Sequence, residues 1–300
     1  MKLYPEREVP LGGVRGVYVE RTLPQMGLPT VGAWCFLDRF GSVADAPGAS
    51  HDIDPHPHIG LQTVTWPFDG RIRHRDSVGS DVEIAPGQLN LMTAGRGIAH
   101  SEYRVPGAAS GNGLQLWIAL PSSARDQVPH FEQHRDLPVF ELPGLRATVL
   151  MGSLGPVTSP AAAYTPLVGA DVVVEPGAAV DIPLRSDFEY AVLVIDGTVV
   201  VDGLPVRPGP LLYLEPGRTS LPVSTTGGTH FVLIGGEPFE EEMVMWWNFV
   251  ARSHEEILAA RLAWEAHDID RFPDIAGHTV DQRIPAPPIP PLRMKPRKRG

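Results

Sequence analysis

Glycine (31) and proline (32) together make up 63 of the 300 residues and are spread along the whole chain. Gly weakens a helix interior through its backbone entropy, and Pro removes a donor and clashes with the preceding turn. A chain interrupted so often is restricted to short elements. The stretches between the interruptions are rich in Val, Ile, Leu and Thr: residues 14–20, 61–66, 114–118, 191–195, 198–201 and 231–234. Short β-rich runs divided by turn residues predict an all-β sandwich or barrel.

The pattern occurs twice. Asp69-Gly70 and Asp196-Gly197 each join two strand-like runs, and Gly in such a turn accepts positive φ without a Cβ clash. A Pro-Gly turn followed by an apolar run comes next in both halves, at Pro86-Gly87 and at Pro208-Gly209. This predicts a degenerate duplication of one barrel. The alternation lapses between Pro121 and Leu145, so the break is placed near residue 137, giving domains 1–137 and 138–300. One helix is expected, opening at Ser253-His-Glu-Glu256, where Ser and Glu three apart can cap each other's free backbone N–H groups. Ile257, Ala260 and Trp264 then share a face for packing on a barrel. The proline-rich segment 285–291 and the basic residues Arg293, Lys295, Arg297, Lys298 and Arg299 read as an extended, solvated end.

The charged residues, 25 Lys+Arg against 35 Asp+Glu, give a formal charge of -10, which opposes direct nucleic-acid binding. No apolar run is long enough to span a bilayer, and the first residues lack the apolar core of a signal peptide. The single cysteine, Cys35, beside Trp34 and Phe36, excludes an internal disulfide and reads as a small buried hydrophobe. A cytoplasmic protein is expected.

His56-Pro57-His58 and His100-Ser101-Glu102 are both i, i+2 pairs, and on a strand that spacing puts both side chains on one face. Two such pairs on neighbouring strands converge four ligands, which suits one divalent ion of iron, manganese, cobalt, nickel, copper or zinc with coordination positions left open. His51, His74, His130 and His134 show no comparable convergence and read as structural. Counting equivalent offsets in the second half lands on Pro183, Arg185, Pro222 and Ser224, so no ligand is expected there.

The chain also resembles pirin, a bicupin, from about Gly12 to His267. The marks are AWCFLDRFG (33–41), HPHIGLQTVTW (56–66), HRDSVGS (74–80), PGQLNLMTAGRGIAHSE (86–102), GLQLWIALP (113–121) and EEMVMWWNFVARSHEEI (241–257). The resemblance implies two cupin barrels and one metal, usually iron, in the first, with His56, His58, His100 and Glu102 as ligands. The commonest pirin form follows its histidine pair with Arg-Gly-Phe-Glu, where this chain has Ile59-Gly60-Leu61-Gln62, and Gln62 stands where an ordinary cupin has its ligating Glu. That difference alters charge and shape beside the metal.

Two functions follow from the resemblance. One is a quercetin 2,3-dioxygenase that opens flavonols with dioxygen, with Glu102 taking the proton of the 3-hydroxyl. The other is a non-catalytic, metal- or redox-dependent regulator that binds a transcription factor or a metabolic enzyme.

Overall fold

The computed structural model describes residues 1–11, 17–41, 52–108 and 111–296. These described residues are built almost wholly of antiparallel strands, with one α-helix among them, His254–Glu265. Among the described residues no helix is long and apolar enough to cross a membrane.

The chain divides into two compact units. One comprises residues 8–19, 38–133 and 240–300; the other comprises 1–7, 20–37 and 134–239. The expected break near 137 lies close to one crossing point, at 133/134, but a single boundary does not describe the chain. Residues 240–300, expected with the second barrel, group with the first. The reason is apolar packing: Ile257, Ala260 and Trp264 of the helix share a core with Ile59, Ala99, Phe249 and Phe272. Fully burying one such side chain is worth about 1.5–3 kcal/mol, enough to fix the partner of a short helix.

In the first unit, a four-stranded antiparallel sheet runs Ile53–His58, Ile98–Arg104, Ile72–Asp76, Asp81–Ile84. A second sheet contains, in order, His130–His134, Leu89–Thr93, Leu61–Asp69 and Asn112–Ala119. Leu61, Val64, Leu89, Leu91, Leu114 and Leu116 are buried, and Leu61–Asp69 and Leu89–Thr93 are buried on both faces over most of their length.

The other unit repeats the plan, its four-stranded sheet running Ala179–Pro183, Ser220–Ser224, Val199–Val201, Leu204–Val206. Its interior is filled by aliphatic and aromatic side chains, including Ile182, Leu221, Val223 and Phe231. The counted positions Pro183 and Pro222 are exposed, while Ile182, Leu221 and Val223 face inward. A count that slips by one residue swaps the two faces of a strand, so the ligand-equivalent face is aliphatic rather than Pro, Arg and Ser. Among the described residues, the candidate metal-binding groups all lie in the first unit.

The helix begins as expected at Ser253, whose side chain accepts the Glu256 N–H. The reciprocal half of the cap is replaced: Glu256 instead accepts from the Arg252 N–H at 3.0 Å and from the Arg125 guanidinium at 2.5 Å. The proline-rich end is not a solvated extension. Ile284 N–H donates to Pro55 O at 2.8 Å, Trp264 Nε1–H to Ile284 O at 2.9 Å and Arg261 Nε–H to Pro287 O at 3.0 Å. Arg293 pairs with Glu255. Pro cannot donate to a ladder, so this segment is held by its carbonyls and its few non-Pro N–H groups. Arg297, Lys298 and Arg299 lie outside the described residues.

Candidate metal centre

His56 and His58 sit on Ile53–His58, and His100 and Glu102 on the adjacent Ile98–Arg104, with His56 directly opposite His100. The pairing shifts between His100 and Glu102, so that Glu102 stands opposite Ile53. A bulge of this kind re-aims the side chain beyond it. Together with His74, these four side chains are buried.

The four expected residues fall into two overlapping triads. Ring nitrogens of His56, His58 and His100 lie within 4.8 Å of one another, and a second triad at the same spacing joins His74, His100 and Glu102. His100 is common to both. His58 Nε2 and His100 Nε2 are 3.1 Å apart. Two ligands at right angles on an ion with bonds of about 2.1 Å are separated by roughly 3 Å, so this spacing suits a shared ion.

Hydrogen-bond geometry assigns the tautomers. His56 Nδ1–H donates to Asp54 O at 2.9 Å, and His58 Nδ1–H to Asn248 O at 3.1 Å. His74 Nε2–H donates to Asp76 Oδ2 at 3.0 Å, which leaves its Nδ1 to accept from His100 Nδ1–H at 3.4 Å. Each of His56, His58 and His100 thereby keeps an Nε2 lone pair, the arrangement in which an outer acceptor orients a ligating imidazole. Burial drives the His56 pKa down to about 3, with the neighbouring His74 adding to the effect. Burial, then the neighbouring histidines, also holds His58 and His100 well below the ordinary range. All three are neutral at physiological pH, as metal ligation requires.

Burial pushes the Glu102 carboxyl up, opposed by the nearby His74 and by the Thr65 hydroxyl, which donates to Glu102 Oε1 at 3.0 Å. Gln62 is buried and donates to Thr93 Oγ1 at 2.9 Å. Trp117 meets the His58 ring edge-on at 5.2 Å. These donors, neutral nitrogens with a buried carboxylate, fit a divalent transition ion of the intermediate kind and give no preference for one metal.

His74 departs from its sequence reading. It stands opposite Glu102 in the sheet, stacks on Phe131 and lies inside the cluster. His74-Arg75-Asp76 is a third i, i+2 pair of ligand-type residues, immediately after the Asp69-Gly70 turn, and that spacing was the available signal. His130 does stand apart, with Val128 O and Glu132 as its neighbours. His51 lies outside the described residues.

The comparisons with known proteins agree with one another. Residues 16–118 match the model of the Pirin family and residues 169–270 that of the Pirin C-terminal cupin domain. A Pseudomonas aeruginosa protein named "Putative quercetin 2,3-dioxygenase PA1205" is 42% identical over 95% of this chain and 89% of its own length. A pirin-like protein of Caulobacter vibrioides is 37% identical over 86% of this chain and 91% of its own. The crystal structure of a quercetin 2,3-dioxygenase from Acinetobacter baumannii superposes with a TM-score of 0.92 at 41% identity, covering 99% of this chain and 98% of that one. With both halves matched in order and the two-barrel architecture in place, the chain belongs to the pirin family of bicupins.

Proposed function

We propose that this chain is a metal-dependent dioxygenase of the quercetin 2,3-dioxygenase type, with His56, His58 and His100 as nitrogen ligands and Glu102 as carboxylate ligand and general base. One observation carries the reading: three buried, neutral imidazoles present Nε2 lone pairs toward one point beside a buried carboxylate. Iron(II) is the ion the family implies, and manganese, cobalt, nickel, copper or zinc suit the same donors. When bound, the ion supplies Lewis-acid and redox chemistry toward a flavonol and dioxygen.

The protein's own part is then binding, orientation and proton movement. Glu102 accepts the proton of the flavonol 3-hydroxyl, a task for which a carboxyl raised by burial is better matched than an exposed one. Its membership of the triad with His74 and His100 keeps this base beside the nitrogen ligand common to both triads. Thr65 holds the carboxylate in place. Both atoms of dioxygen enter the ring-opened product and one ring carbon leaves as carbon monoxide. The relatives' names support the substrate class.

The test is dioxygen uptake on adding quercetin, with metal analysis of the same sample and His58→Ala as the blank. Uptake that scales with bound metal and releases carbon monoxide is the expected result. A metal-loaded but inert protein points to the second reading, a metal-dependent regulator of a protein partner. That reading is favoured by a whole barrel whose interior is packed with aliphatic side chains.

A further inference from the structure

Directly after His58 the chain turns at Ile59-Gly60, and this turn forms one wall of a cavity of about 210 Å³. Arg96, Arg125, Asp126, Glu256 and Arg271 also line it. The lining thus brings together three arginines and two acidic residues. Arg125 engages both acids: it bonds Glu256 through Nη1 at 2.5 Å and Nη2 at 3.2 Å, and its Nε lies 3.6 Å from Asp126. Among the described residues, neither Arg96 nor Arg271 is left within ion-pair distance of a carboxylate.

Arg271 is held in place without being neutralised. Its Nε–H donates to Arg96 O at 3.3 Å, and its guanidinium lies 5.6 Å from the centre of the Phe272 ring. Burial pushes its pKa below the usual arginine range, and the more distant charges of Asp268, Asp126 and Glu256 offset only part of this. The wall is stiff. A Cβ at Gly60 would fall 2.1 Å from Val250 O, and one at Gly95 would fall 2.1 Å from Gln127 O.

We propose that this cavity binds a small oxyanion, a phosphate or a carboxylate, between Arg96 and Arg271. Planar, fixed guanidinium donors suit such groups because they offer paired N–H bonds in a matching geometry. The volume lies below the roughly 300–1,000 Å³ of pockets that take drug-sized molecules, which favours an anion of a few heavy atoms over a flavonol. The site is separate in chemistry from the histidine cluster and does not depend on the dioxygenase reading.

Isothermal titration of the full-length protein with inorganic phosphate, and separately with malonate, tests it, with ionic strength held constant by sodium chloride. Both titrations are repeated on metal-stripped protein, so that an anion on the metal is not counted. Saturable one-site binding that survives metal removal and weakens about ten-fold or more in Arg96→Gln and in Arg271→Gln is expected, given the strength of charge-assisted bonds. Tighter phosphate binding assigns a phosphoryl ligand, and tighter malonate binding a carboxylate. Arg96→Gln is the decisive variant, because Arg96 is exposed and folding and metal content are expected to stay at wild-type values, as a urea midpoint and metal analysis check. No saturable binding of either anion, binding lost with the metal, or binding indifferent to Arg96→Gln would overturn the proposal.

Discussion

Asp76 Oδ2 accepts the Nε2–H of His74 at 3.0 Å, and this bond selects the tautomer of a ring that is two residues away in sequence but inside the candidate metal-binding cluster in space. In the neutral His74 ring this leaves Nδ1 to accept, so that His100 donates at Nδ1 and keeps a bare lone pair at Nε2. The other oxygen of Asp76 accepts from the Val78 and Ser80 N–H groups at 3.0 and 2.9 Å, so the carboxylate is locked by its own turn.

Asp76→Asn keeps those turn bonds through the amide oxygen and presents an NH₂ to His74. His74 must then accept at Nε2 and donate at Nδ1, which drives His100 toward the tautomer protonated at Nε2. The ligand atom is lost while the shape is kept. Losing an outer partner of a ligating histidine typically lowers metal affinity 10–100-fold, and that loss is expected in chelator competition. An Asn variant with wild-type affinity would end the relay assignment.

Thr65 Oγ1 is the one hydroxyl donating to Glu102 among the described residues, and it favours the charged carboxylate. Thr65→Val removes the donor at nearly constant volume, so the Glu102 pKa rises further and the carboxylate survives only at higher pH. The acid limb of the turnover–pH profile should move upward in Thr65→Val and return in Thr65→Ser. A profile that does not move would remove Glu102 as the base.

Much of this centre was legible in the chain. The His56/His58 and His100/Glu102 spacings placed those residues on two strand faces, and the structure puts the strands side by side with His56 opposite His100. The bulge between His100 and Glu102 was not legible, because pairing shifts are set by contacts across the sheet rather than by spacing along one strand. His74 was missed for a related reason: its partner strand lies 24 or more residues away in sequence, and only the register of Glu102 with His74 brings them together. The C-terminal segment was misread because composition reports solubility, whereas the carbonyl-rich backbone of 284–287 finds donors and acceptors along the helix and at Pro55.

The buried imidazoles make the metal-free protein acid-sensitive. The folded pKa of His56 is about 3 and those of His58 and His100 are also depressed, against an unfolded value of about 6.5. Below 6.5 the unfolded chain takes up protons that the folded chain refuses, so stability is full above that pH and is lost progressively down toward pH 3. Glu102 has the opposite sign, its raised pKa favouring the folded state at acid pH, but it is one group against three. Urea midpoints of metal-stripped protein should fall between pH 7 and pH 4, and His56→Gln should flatten the fall. A flat profile in the wild-type protein would contradict the burial of neutral histidines.

Gly60 links the centre to the remainder of its unit. It follows His58 by two residues with φ near 69°, and its N–H donates to Gly95 O at 2.9 Å. Val250 N–H donates to Ile59 O at 3.1 Å, and Val250 lies two residues beyond Asn248, whose carbonyl holds His58. A Cβ at Gly60 would fall 2.1 Å from Val250 O, a backbone atom that cannot rotate away. Gly60→Ala therefore has two effects: backbone strain of about 1–3 kcal/mol from a non-Gly residue at positive φ, and displacement of the Val250 strand with the Asn248 carbonyl. The first lowers the urea midpoint whether or not metal is present. The second releases His58 Nδ1 and weakens metal binding, which strain alone would not do. Chelator competition on the folded variant separates them: weakened affinity together with a lowered midpoint supports the Gly60–Val250–Asn248 link, whereas a lowered midpoint with wild-type affinity shows that the turn supports the barrel without orienting the ligand.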